Sequence, residues 1–137
     1  MEKRKTVLVS AALIVKANNR ILLAQRPVGK SMAGLWEFPG GKVMTNETPE
    51  QALVRELKEE LGIGILEADL ALVETIFHAY PGFKLEMPVF LCRQWDGAPK
   101  PLEGQALAWV SVGELPDYPM PPADAPFVAK IPKILSG

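Results

Sequence analysis

Regular patterning in this chain begins with "TVLVSAALIV", residues 6–15, an almost unbroken apolar run. Val7, Val9, Leu13, Ile14 and Val15 suit a buried strand, expected over 6–16. "ANN" (17–19) reads as a turn and "RILLAQR" (20–26) as the hairpin partner. "PVGKSMAG" (27–34) has loop composition, and "LWEF" (35–38) fits a short strand ended by Pro39-Gly40-Gly41. The period then changes. Leu53, Leu57 and Leu61 recur every fourth residue, the stripe of an amphipathic helix. Thr48 is its expected N-cap, Pro49 fits the first helical position, and Gln51 completes a Thr-x-x-Gln capping box. Gly62 suits the left-handed position that closes the helix.

Two long strands are expected next, "LALVETIFHAY" (70–80) and "KLEMPVFLCRQW" (84–95), joined at Pro81-Gly82. "WDGAPKPLEGQ" (95–105) is a loop by composition and "ALAWVSV" (106–112) a further strand. A proline-rich stretch (116–126) leads into "FVAKIPKIL" (127–135), a closing helix that Pro132 would shorten or kink. Strands outnumber helices, and hairpins mix with one well-marked helix. The expected class is a mixed α/β or α+β sheet flanked by helices.

Length narrows this to one domain over 1–137, since 137 residues build one proper core but not two comfortable ones. A formal charge of −1 supplies no electrostatic footprint for duplex DNA or an anionic membrane. A small phosphorylated ligand bringing its own metal stays open. The single cysteine, Cys92, lies in "MPVFLC" and reads as a buried structural thiol in a reducing compartment. "MEKRK" before the apolar run mimics a secretory leader. Lys16 follows that run directly, without a small-residue cleavage site, and the run is too short to span a bilayer. A cytoplasmic strand is the expectation.

The helix carries Glu56, Glu59 and Glu60 beside its leucine stripe. Residues three or four apart are neighbours on a helix, so Glu56 meets both others, at roughly 0.2–0.5 kcal/mol of repulsion per pair. A solvated acidic face is one explanation. The other is a carboxylate cluster for Mg²⁺, a hard cation that takes oxygen ligands and keeps waters and phosphates.

The spacing goes further than the glutamates. Gly41, Glu47 after five residues, Arg55-Glu56-Leu57 after seven more, then Glu59-Glu60 and Gly62-Ile63 match every fixed position of the Nudix box. With "WEFPGGK", "TPEQALVREL", "LEGQ" and "PPADAP", the chain resembles the MutT branch of the Nudix family from about residue 7 to its C-terminus. The resemblance implies an α/β/α sandwich around a mixed sheet, with the box helix beside it. It also implies Mg²⁺-dependent hydrolysis of a nucleoside triphosphate to a monophosphate and pyrophosphate, with Mn²⁺ able to substitute. Such enzymes clear oxidised nucleotides from the precursor pool and so prevent mutation, acting on a small molecule rather than on nucleic acid; a monomer is expected, with a dimer as the alternative.

By the same resemblance, Glu56, Glu59, Glu60 and the Gly40 carbonyl would hold the metal. Glu47 and Arg55 would orient the box, and Glu103, in "LEGQ", would help hold the catalytic metal or act as base. Arg26 matches a nucleotide-contacting arginine, and Glu37, Phe38 and Pro39 match the segment lining the nucleotide. Ser31 stands where histidine is frequent, and Asp124 where the best-known pattern has an asparagine that bonds the oxidised base. Ionised aspartate only accepts hydrogen bonds, whereas asparagine donates and accepts. Both 8-oxo-guanine and cytosine present N–H donors, so 8-oxo-dGTP is the expected substrate, with CTP or an oxidised pyrimidine nucleotide as the alternative. Dinucleoside polyphosphates and ADP-sugars share the diphosphate chemistry, and a non-catalytic Nudix-fold base reader is the alternative of another class. His78, Tyr80 and Phe83 are expected to be packing residues, and Trp95 and Trp109 sheet core.

Overall fold

The computed structural model describes residues 4–136; Met1–Lys3 of the basic leader-like segment lie outside it. Seven strands form one mixed sheet: β1 (Lys5–Lys16), β2 (Arg20–Gln25), β3 (Trp36–Glu37), β4 (Gly40–Lys42), β5 (Leu70–Tyr80), β6 (Phe83–Cys92) and β7 (Ala106–Val110). The main order is β3-β2-β1-β6-β5, with β4 paired to β1 and β7 to β2. β1 and β6 run parallel, and the remaining pairs are antiparallel.

β1 explains its own apolar run. Ala11, Leu13 and Val15 join one core with Leu85, Val89 and Phe127, while Ala12 and Ile14 join the other with Leu53, Leu57 and Phe90. A strand covered on both faces needs apolar side chains at successive positions, not alternate ones. Helix α1 (Pro49–Leu61) covers one face, and the C-terminal segment covers the other. Thr48 and Gln51 form the reciprocal capping box, and Gly62 closes the helix at φ 70°. Leu53, Leu57 and Leu61 are fully buried, so truncating any one to alanine removes about 2–5 kcal/mol.

Several details differ from the sequence expectation. Gly40-Gly41-Lys42 is a strand rather than only a turn: Ala11 pairs with Gly40 and Ser10 with Gly41. A Cβ on Gly40 would stand 1.9 Å from the Ser10 carbonyl oxygen, so only glycine allows this backbone approach. β6 stops at Cys92 and β7 at Val110, each short of the expected end. The closing helix is a 3₁₀ segment, Ala125–Lys130, followed by α2 (Ile131–Ser136). Pro132 lies in the first turn of α2, where no helical N–H is required, so it starts a helix instead of kinking one. Trp95 and Trp109 are half-buried, stacked on each other at 5.9 Å between centroids, with Lys16 over Trp109. Cys92 is buried, as expected.

Candidate active site

Two cavities meet along the Arg26–Glu37 pair. The larger, about 460 Å³, is lined by apolar side chains of β1 and β6, by Phe38 and Tyr80, and by Asp124. The smaller, about 300 Å³, holds Glu56, Glu60, Glu103 and Gln105 with Lys30. Arg26, Glu37 and Gly40 line both. Arg26 comes from the residue after β2 and Glu37 from β3, so strand pairing between Ala24 and Glu37 brings them together. One Arg26 nitrogen lies 3.1 Å from each Glu37 oxygen, its Nε donates to the Ser31 carbonyl at 2.6 Å, and Nη2 donates to the Ser31 hydroxyl at 3.2 Å. The arginine is therefore held from both sides where the two cavities meet.

Arg55 organises the start of the acidic cavity. Its Nε and Nη2 form a fork on Glu47 at 2.7 and 2.9 Å, and Nη1 reaches Glu56 at 2.8 Å. Nη2 also donates to the Lys42 carbonyl, tying the helix to β4. Charge-assisted forks of this kind fix both distance and plane. The Arg55 fork and the Met44 N–H hold the Glu47 carboxyl down to about 2. Glu56 packs onto Gly41 so closely that a Cβ there would stand 2.3 Å from its carboxyl carbon. Residue 41 must be glycine for Glu56 to occupy this position.

Glu60 is pushed up to about 9, first by burial, then by its hydrogen bond to Glu56 and the charges of Glu56, Glu103 and Glu37. Crowding carboxylates disfavour ionisation. The donor set, carboxylates plus the glycine backbone at 40, is all oxygen, and suits a hard divalent cation with phosphate and water completing its shell. Glu59 differs from the other two. Its side chain is 56% exposed and lies 3.5 Å from Arg55, outside the lining of either cavity. Among the described residues no three His, Cys, Asp or Glu side chains converge tightly enough to enclose one ion unaided. The three glutamates of the helix thus share one face without forming one cluster.

Glu103 sits on an exposed loop fastened to the end of α1. Lys100 N–H donates to the Leu61 carbonyl and Leu102 N–H to the Glu60 carbonyl. Gln105, which sequence reasoning passes over, is buried; it accepts from Glu103 N–H at 2.9 Å and donates to the Glu60 carbonyl at 3.2 Å. "LEGQ" contained the signal, since a glutamine two residues after a site glutamate carries both a donor and an acceptor.

In the larger cavity, Phe38 is buried and meets Phe127 edge to face at 5.6 Å. The Pro39 carbonyl accepts from Ala12 N–H at 2.8 Å, fixing the segment against β1. Asp124 is only 6% exposed. Its carboxyl is pushed up to about 7 by burial and by Glu37, against the Phe38 N–H bond and Arg26. Tyr80 and Phe83, expected to be simple packing, both line this cavity. His78 is half-buried beside Tyr80.

An apolar slot with one buried acid joins an acidic pocket across a shared arginine, a division that suits a flat base at one end and phosphates at the other. A family description of a NUDIX domain matches residues 10–130, and the chain belongs to the Nudix family. It is a Nudix hydrolase. It is 36% identical over 130 residues to the 8-oxo-dGTP diphosphatase of Escherichia coli K12, covering 95% of this chain and 99% of that protein. It is also 41% identical over 117 residues to the CTP pyrophosphohydrolase of the same organism, covering 85% of this chain and 85% of that protein. The crystal structure of a MutT NUDIX hydrolase from Burkholderia pseudomallei aligns with a TM-score of 0.81 at 32% identity, over 93% of this chain and 99% of that one. No helix among the described residues is long and apolar enough to cross a membrane.

Proposed function

We propose that this chain hydrolyses 8-oxo-dGTP to 8-oxo-dGMP and pyrophosphate, removing an oxidised precursor before it enters DNA. The observation that carries the reading is Asp124, a buried carboxyl facing an apolar cavity of about 460 Å³. With its carboxyl near 7, Asp124 is partly protonated at neutral pH. Protonated, it donates and accepts as asparagine does; ionised, it accepts twice. Either form pairs with the N–H groups of an oxidised guanine, and the protonated form also reaches its carbonyls.

Phe38 packs against the base, and Arg26, held by Glu37 and Ser31, fixes the chain of phosphates where the two cavities meet. Glu56, Glu60 and the Gly40 carbonyl would hold Mg²⁺, or Mn²⁺ in its place, with Glu59 joining from the same helix. Bound there, the metal supplies positive charge at the phosphorus and a more acidic water. Arg55 and Glu47 keep Glu56 in position. Glu103 takes a proton from the attacking water as its oxygen bonds to the β-phosphorus. The bridging oxygen leaves with the nucleoside monophosphate, and the β- and γ-phosphates leave as pyrophosphate.

A second reading, hydrolysis of CTP or an oxidised cytosine nucleotide, is favoured by the same Asp124, because an ionised carboxylate accepts from a cytosine amino group. The 41% identity to a CTP pyrophosphohydrolase supports it as well. Initial rates on 8-oxo-dGTP, dGTP, CTP and 5-hydroxy-dCTP separate the two. A kcat/KM highest for 8-oxo-dGTP is expected, and a cytosine nucleotide in first place would replace the first reading with the second. Absence of Mg²⁺-dependent pyrophosphate release from all four would point to a base-reading module instead. We infer a single-domain monomer acting on free nucleotides in a reducing cytoplasm, where the buried Cys92 stays a thiol.

A further inference from the structure

Tyr80 ends β5 at the wall of the larger cavity and is only 9% exposed. Its ring stacks on Phe83 at 5.2 Å between centroids and tilts against His78 at 4.5 Å, so its orientation is fixed by neighbours on the same hairpin. The hydroxyl oxygen accepts from Ala123 N–H at 3.0 Å, a buried bond between segments distant in sequence. Ala123 is the residue before Asp124.

The other bonds of this segment divide into two kinds. Asp124 N–H and Ala125 N–H both donate to the Pro121 carbonyl, at 3.0 and 3.1 Å, which shapes the turn internally. Trp36 N–H donates to the Pro119 carbonyl at 2.7 Å, Phe127 N–H donates to the Asp124 carbonyl at 3.0 Å, and Phe38 N–H faces the Asp124 carboxylate. The Trp36 and Phe38 groups come from β3 and the residue following it, and Phe127 from the 3₁₀ segment that Asp124 begins. The Tyr80 hydroxyl belongs to β5, a different strand of the sheet, and it grips the backbone rather than the carboxyl. The Tyr80 bond thus joins the backbone beside Asp124 to a strand that the other hydrogen bonds of residues 119–124 do not reach.

We propose that Tyr80 is a positioning residue for base discrimination, its hydroxyl holding the Ala123–Asp124 peptide so that Asp124 meets the base edge at one angle. The inference rests on Asp124 as the group that reads the base. It does not depend on which base is preferred.

Tyr80→Phe keeps the ring, its stacking and its apolar area, and removes one hydrogen bond. For the parent enzyme's preferred triphosphate, KM is expected to rise about five- to tenfold, the scale of one net hydrogen bond, with kcat within about twofold. The preference for that substrate over its weaker competitor should shrink by the same factor. A deoxyribose triphosphate lacking a base should be turned over equally by parent and variant. Tyr80→Phe/Asp124→Ala should discriminate no worse than Asp124→Ala alone, because a residue acting through Asp124 has nothing left to position. Unchanged discrimination in Tyr80→Phe overturns the inference. So does a parallel loss on the base-free triphosphate, which would mark a general structural role. If the parent prefers CTP, the 8-oxo-dGTP reading falls while this inference still predicts a flattened cytosine preference.

Discussion

The side-chain amide of Gln105 ties Glu103 to Glu60, accepting from the backbone N–H of the first and donating to the backbone carbonyl of the second. It fastens a loop glutamate to the last turn of the acidic helix. Gln105→Leu preserves bulk but leaves both backbone groups without this partner. A lost buried partner costs about 1–3 kcal/mol, so urea melts should show a loss of that order. The larger expected effect is on kcat, about tenfold down, with KM nearly unchanged, because Glu103 no longer rests at one distance from the phosphates. An unaltered kcat in a folded variant would remove Glu103 placement from the account of turnover.

Arg55 presents a second test. Its guanidinium serves Glu47, Glu56 and the Lys42 carbonyl at once, which a lysine ammonium has neither the plane nor the number of directed donors to reproduce. Arg55→Lys should therefore lower kcat/KM about 10- to 100-fold while circular dichroism stays native. Activity equal to the parent would show that charge alone suffices.

Glu59→Gln and Glu60→Gln should each lower turnover at least ~10²-fold, since each removes a carboxylate that would hold the metal through which the phosphates are neutralised. Their effects on the metal-free protein should differ. Glu60 is crowded by burial and by Glu56, so its amide variant should be more stable in EDTA than the parent. Glu59 is 56% exposed, and its replacement should leave EDTA melts unchanged. Near-normal turnover of either variant at saturating Mg²⁺ would exclude that residue from metal binding.

Metal should also carry most of the triphosphate affinity. Arg26 has most of its donors on Glu37 and Ser31, and with Lys30 it sets two cations at the acidic cavity against the charge of a triphosphate. Calorimetric titration with a non-hydrolysable triphosphate should give strong binding in Mg²⁺ and almost none in EDTA. Equal affinity in both would assign the phosphates to the protein's own cations.

What could be read in advance follows the range of the interactions. The helix bounds, both caps and the leucine stripe depend on residues within four positions of each other, and all are present in α1. β4 was hidden because Gly40-Gly41-Lys42 has no side-chain pattern; its strand character comes from backbone pairing to β1. The position of Glu59 was hidden for another reason. Helical spacing shows which face a residue occupies, but not that Glu56 and Glu60 line the acidic cavity while Glu59 stays 56% exposed beside Arg55. Tyr80 to Ala123 and Gln105 to Glu60 join distant segments, so neither bond has a local signature. Pro132 is ambiguous in the sequence because a proline signals a helix break or a helix start; the α-helix is indeed short, but Pro132 stands in its first turn after the 3₁₀ segment.

Asp124 carries the last prediction, in which stability and specificity are tested together. Its carboxyl ionises near the usual 3.8 in the unfolded chain but near 7 in the folded one. Between those values the folded state binds the extra proton, so this group makes stability fall as pH rises from about 4 to 7, with no further change above. A shift of that size corresponds to a loss on the order of 4 kcal/mol by pH 8. Asp124→Asn removes the titration while keeping an oxygen for Phe38 N–H. Urea melts in EDTA should thus show the variant more stable than the parent at pH 8, with the gap closing toward pH 4. On substrates, Asp124→Ala should weaken 8-oxo-dGTP binding about 10- to 150-fold with little change in kcat, the worth of a hydrogen bond to a charged group. Asp124→Asn should retain 8-oxo-dGTP, since its amide still accepts from the base and its NH₂ can turn to a base carbonyl. A site relying on two acceptor oxygens, one for N1–H and one for the 2-amino group, would instead lose most of its discrimination in Asp124→Asn. If both variants handle 8-oxo-dGTP and CTP as the parent does, Asp124 is a buried structural acid and the base is read elsewhere in the cavity.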